Sequence, residues 1–300
     1  MTGDLETPRT PAVNDVIEAL FSQLMSVMGM KHPNWVTRCL FPIFLAPTRR
    51  MSNLLVELDK NIPRNGWNPA VNQFLSHLIS QIELYGEENI PTQGSLMVVC
   101  NHPAALDVVI LTAAIKRNDL KIIASDIPIV QMLPHIADHT IPVPYNIPMR
   151  LHTVRSAIRH LHMDGSILIF PRGNVEPDPA VSPAAEKSLA GWSPSVELFL
   201  RQVPKTMTVV AIASGMLSAG WYRNPLVRIW KKYEQRQKVA EIFQIASQLL
   251  TGKTPAATPR VSFSSPLAIT DLGGENAPGG ALLTGLIAEA RGLLTQPPHN

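Results

Sequence analysis

His102 and Asp107 stand in the stretch VVCNHPAALDVVIL (98–111), where an apolar run breaks off at Asn101, His102 and Pro103 and then resumes. A carboxylate beside a histidine can accept a hydrogen bond from one ring nitrogen, which fixes the tautomer and leaves the other nitrogen as a base. Asp107 would then orient and stabilise the ring, and His102 would take a proton. The chain contains no G-x-S-x-G elbow, so such a base would act on a substrate group rather than on an enzyme nucleophile. The alternative is a capping turn, in which Asn101 and His102 satisfy backbone groups and Asp107 favours a helix N-terminus. Cys100 precedes the turn on the apolar side and reads as a buried, inert thiol.

A second seam has the same grammar. SILIFPRGNVEPDP (166–179) is an apolar run followed by a sharp polar turn at Pro171, Arg172, Gly173 and Asn174. Gly173 permits a positive φ or a close backbone approach. Arg172 and Asn174 would point at whatever the loop covers.

Both seams need a scaffold. Short apolar runs at 95–100, 121–125, 140–143, 167–170, 208–213 and 260–264 read as strands. Helical patterns at 103–116, 149–163, 194–202 and 234–250 lie between most of them, and a last helix follows at 281–294. That alternation predicts an α/β fold with a mainly parallel sheet flanked by helices. His102 falls where a strand ends, because Pro103 keeps the residue before it extended and itself suits a first helical turn. The C-terminal edge of such a sheet is where ligands bind. Upstream, 16–30, 51–58 and 68–85 read as helices, the last with Asn68 as N-cap and Pro69 at its first position. The expected organisation is a loose tail at 1–15, a helical N-terminal region at 16–85 and the α/β domain at 86–300. The tail lacks the basic-then-apolar order of a signal peptide.

NHPAALD followed by FPRG resembles the glycerolipid acyltransferases, the glycerol-3-phosphate and 1-acylglycerol-3-phosphate acyltransferases, whose first block is N-H-x4-D and third block F-P-E-G-T. The resemblance covers roughly 85–215, with VVAIAS (209–214) where the fourth block would fall. It implies direct acyl transfer: His102 deprotonates an acceptor hydroxyl, which attacks a thioester carried by coenzyme A or acyl carrier protein, while Asp107 holds the ring. Asn101, Phe170, Pro171, Arg172, Gly173 and Asn174 would bind substrate, and backbone N–H groups at the His102 turn are candidate oxyanion donors. The thioester is a substrate, so neither metal nor cofactor is implied.

Two departures bear on the acceptor. Arg172 and Asn174 replace the third block's glutamate and threonine. The stretch at the second block, HTIPVPYN (139–146), offers Tyr145 and Asn146 and no arginine. A guanidinium in place of a carboxylate reverses the local charge. The expectation is therefore a rebuilt acceptor site for an amphipathic hydroxy lipid. A catalytically silent lipid-binding or scaffolding protein and a thioesterase-like hydrolase are the competing readings.

Composition bounds the partners. The 300 residues are 45% hydrophobic and 16% charged, with a net charge of +3. That suits a well-buried core and is too weakly basic for nucleic acid. Two cysteines give no disulfide framework, in keeping with a cytoplasmic protein, and a lipid substrate would bring it to the inner face of a membrane. The run 35–47 is short, carries Arg38 and is broken by Pro42, so it would lie in an interface or a core rather than span a bilayer. WYRNPLVRIWKKYEQRQK (221–238) mixes cations with Trp and Tyr. It reads either as a charged helix face or as a surface for a membrane, coenzyme A phosphates or an acidic carrier protein. His135 and His139 have helical metal-pair spacing but no third ligand. His152, His160 and His162 alternate with Arg155 and Arg159 as a solvated basic face.

Overall fold

The structure, a computed structural model, describes residues 11–30, 35–146, 149–253 and 257–295. Among these residues seven strands form one sheet: β1 Glu83–Tyr85, β2 Leu96–Cys100, β3 Lys121–Ser125, β4 Thr140–Val143, β5 Ser166–Ile169, β6 Met207–Ser214 and β7 Arg260–Phe263. Their order is β1-β7-β6-β2-β5-β3-β4. The five strands from β6 to β4 run parallel, whereas β7 pairs antiparallel with β6 and parallel with β1. The mainly parallel sheet expected from the sequence is present, with β2 at its centre.

Among the described residues, eight longer helices surround it: α1 Val13–Val27, α2 Trp35–Asn65, α3 Trp67–Ser76, α4 Leu106–Ile115, α5 Arg150–His162, α6 Ser195–Gln202, α7 Tyr233–Thr251 and α8 Ala281–Thr295. The two-residue period of the strands divides the core. Leu96, Val98 and Cys100 of β2 face α2, α3 and α4, with Leu168, Val209 and Ala211 beside them. Met97 and Val99 face the other way, onto a layer that includes α5, α6 and α8. Because both faces are covered, the central strands are continuous apolar runs rather than alternating ones.

The N-terminal region departs from the sequence expectation. The breaks expected at Pro42 and around 51–58 are absent: α2 is continuous and holds Pro42, Pro47 and Pro63. Each proline forfeits one backbone bond, yet Val56, Leu58 and Ile62 are buried and the Phe44 ring packs 5.8 Å from Phe243 of α7. Tertiary packing overrides local propensity here. The helix expected to reach Tyr85 stops at Ser76, and Glu83–Tyr85 is instead the edge strand β1. Glu83 pairs with Arg260 of β7 at 2.7 Å, a partner far away in sequence. The start also differs: Gly66, at φ 89°, precedes a helix beginning at Trp67, ahead of the expected Asn68 cap.

Candidate functional site

Strand β2 delivers Asn101 and His102 to the C-terminal edge of the sheet, and Pro103 begins the turn into α4. The turn places His102 Nδ1 3.0 and 3.1 Å from the two carboxylate oxygens of Asp107. A carboxylate only accepts, so Nδ1 carries the proton and Nε2 is left with its lone pair. The ring is 23% exposed, and Nε2 makes no hydrogen bond among the described residues. Asp107 is fully buried, and its Oδ2 also accepts from the Ala104 N–H at 3.1 Å. Asp107 therefore both accepts from the backbone of the turn and holds the ring.

Two further acids close around the turn. Glu241 of α7 accepts from the N–H groups of Ala105 (2.8 Å) and Leu106 (3.1 Å), at the N-terminus of α4. Glu176, just past the second seam, accepts from the His102 N–H at 3.1 Å and from Trp192 Nε1 and Ser188 Oγ. The Glu176 N–H returns a 2.7 Å bond to the His102 carbonyl. Every N–H from His102 to Leu106 is thus committed to a carboxylate, since Pro103 has none. This corrects the expectation that these groups stabilise an oxyanion.

Burial dominates the electrostatics. It pushes Glu176 up to about 7, against the hydrogen bonds from Trp192, His102 and Ser188 and the charge of Arg172. Glu241 is likewise pushed up to about 7, by burial and by the charge of Asp107, against its two backbone donors. Burial pushes His102 down, but the charge and hydrogen bond of Asp107, with Glu241 and Glu176 behind them, outweigh it. The ring titrates above the usual histidine value. Burial raises the Cys100 thiol well above its ordinary range, so it is no nucleophile.

The second seam arrives beside the first through the pairing of β5 with β2. Phe170 lies with its ring 4.4 Å from that of His102. Pro171 is buried, and Gly173 sits at φ 69° with open space where a Cβ would be. Gly173 and Asn174 are exposed at the loop tip. Arg172 lies 5.7 Å from the Tyr233 ring centre and 3.9 Å from the Glu234 carboxylate. Asn101 faces elsewhere. Its amide donates to the Ala213 carbonyl at 2.9 Å and accepts from the Ala213 N–H at 2.7 Å. Buried at the end of β2, with both amide atoms bonded to the Ala213 backbone, it extends the β2–β6 ladder.

Sequence reasoning missed Glu176, Glu241 and Gln237. The signal was a polar stripe on α7: Gln237, Glu241, Gln244 and Gln248 recur at helical spacing, which ordinarily marks a solvent face. Here the stripe turns inward. Gln237 donates to the carbonyls of Pro103 and Glu176, Gln244 to Met216 and Gln248 to Leu78. The helix thereby fastens loops distant in sequence to one another.

The family model described as Acyltransferase matches residues 81–196, a span that holds both seams. That span is a little under two fifths of the chain. No curated protein matches it. The crystal structure of the 1-acyl-sn-glycerophosphate (LPA) acyltransferase of Thermotoga maritima is similar at 16% identity, over 96% of this chain and 98% of that one, with a TM-score of 0.46. In this chain the histidines set aside as metal ligands have other partners. His135 binds Asp59 at 3.0 Å and His139 stacks on Trp67. His160, expected on a solvated face, turns inward to the Asp119 and Ser166 carbonyls. Among the described residues no group of three or more His, Cys, Asp or Glu could hold a metal, and no helix is long and apolar enough to cross a membrane.

Proposed function

We propose that the enzyme moves a fatty acyl group from a coenzyme A or acyl-carrier-protein thioester to a hydroxyl of an amphipathic lipid acceptor, with His102 as general base. The observation that supports this most is the His102 ring, held at Nδ1 by Asp107 with Nε2 unbonded at the sheet edge. The acceptor hydroxyl gives its proton to Nε2 as its oxygen attacks the thioester carbonyl. The tetrahedral intermediate collapses, the C–S bond breaks, and the thiolate takes the proton back from His102. Asp107 stabilises the imidazolium between these steps. With the turn's own N–H groups committed, the oxyanion draws its donors from outside the turn. Arg172, loosely paired with Glu234, supplies positive charge for an anionic acceptor group in place of the second-block arginine.

The test measures free-thiol release with acyl-coenzyme A and acyl-carrier-protein donors against a panel of hydroxyl and amine acceptors, with products identified by mass. His102→Ala should cut transfer by about 10²–10⁴-fold while donor binding, followed by calorimetry, survives. Free fatty acid formed without acceptor would establish a thioesterase instead. Absence of thiol and product under every condition would leave only a lipid-binding role. Lysophosphatidate as the best acceptor would overturn the rebuilt acceptor site.

A further inference from the structure

We infer that the loop at 223–232, which leads into α7, docks the enzyme on an anionic bilayer surface. The loop is held from beneath: Val227 is fully buried, and Trp230 Nε1 donates to the Met28 carbonyl at 3.2 Å. Above these anchors Leu226 is 60% and Ile229 69% exposed. They stand among Arg223, Arg228, Lys231 and Lys232, all exposed. Among the described residues none of these cations has an ion-pair or hydrogen-bond partner for its side chain, and 219–233 contains no acidic residue. Apolar side chains fixed outward within a ring of unpaired cations suit anionic headgroups over acyl chains.

The location gives the surface a purpose, and that purpose rests on the acyl-transfer reading. Tyr233, Gln237 and Glu241 follow one another at helical spacing along α7. Tyr233 lies against Arg172, Gln237 binds the Pro103 carbonyl, and Glu241 caps the turn after His102. At 1.5 Å per residue, Tyr233, the first residue past the loop, sits about 12 Å along the helix from Glu241. A membrane on the loop would present its lipid at the mouth of the site. An acidic carrier protein would match the charge but has no use for Leu226 and Ile229 facing solvent.

Flotation of the full chain with vesicles of phosphatidylglycerol and phosphatidylcholine needs no turnover, so its outcome is independent of the activity assay. Binding should require the anionic lipid and weaken with salt. The triple variant Arg228→Ser, Lys231→Ser, Lys232→Ser should lower it about a hundredfold, near fivefold per charge. Leu226→Ser with Ile229→Ser should lower it about tenfold or more, at unchanged melting temperature. In the unaltered protein, hydrogen exchange at 223–232 should slow when anionic vesicles are added. Equal binding to neutral vesicles, or no protection of 223–232, would overturn the proposal. So would variants that bind vesicles normally but lose binding to acyl carrier protein.

Discussion

Glu241 offers the sharpest test of how the site is held. Its Oε1 accepts from both Ala105 and Leu106, so Glu241→Ala leaves two N–H groups at the partly buried start of α4 without that partner. An unsatisfied buried donor costs about 1–3 kcal/mol, and water entering the space vacated by the carboxylate recovers part of that. The expected loss at pH 7 is about 2–4 kcal/mol. Glu241→Gln keeps an acceptor oxygen in the same place and should lose far less. The charge adds a pH signature. With its folded pKa raised to about 7 and an unfolded value about 4.3, the folded protein holds the extra proton in that window. Stability therefore falls as pH rises through it. The glutamine variant escapes this, so its stability relative to the unaltered enzyme should improve by about 2–3 kcal/mol between pH 5 and pH 8. Urea unfolding at both pH values, with the slope checked for constancy, reads both effects. A loss below about 1 kcal/mol in Glu241→Ala, or a pH-independent difference for Glu241→Gln, would refute the reasoning.

Two further substitutions separate chemistry from architecture. Asp107→Asn can satisfy the His102 Nδ1–H or the Ala104 N–H but loses the charge that raises the ring's pKa. Thiol release should fall by about 10²–10⁴-fold, and the acid limb of the pH–rate profile should move to lower pH, because a weaker base is neutral at lower pH. An unmoved limb would exclude His102 as the titrating base. Asn101→Ala strips both bonds to Ala213 and should cost about 2–3 kcal/mol of stability while acceptor KM holds. A large KM rise at unchanged stability would return Asn101 to the substrate.

The parallel sheet was legible because burial on both faces demands unbroken apolar strands. The runs at 121–125 and 140–143 coincide with β3 and β4. His102 and Asp107 were legible because Pro103 forces the chain to turn there. The edge strand β1 was not: Glu83–Tyr85 extends a helical pattern, and only β7 makes it a strand. Continuity of α2 was hidden for a related reason, since three prolines argue locally for breaks.

The sequence by itself determined the six strands β2 to β7, the helices that alternate with them and the histidine–aspartate pair at a sheet edge, since strand periodicity, helix start signals and a five-residue separation are local properties of the chain. Tertiary structure decided what surrounds that pair. Glu176, Gln237 and Glu241 reach it from beyond the turn, and a polar stripe is identical in sequence whether it faces water or the backbone of another loop. Asn101 went to the sheet because Ala213 lies beside it in the β2–β6 pairing. Hydrogen-bond partners of buried polar groups are fixed by proximity in space, and that proximity exists only once the chain has folded.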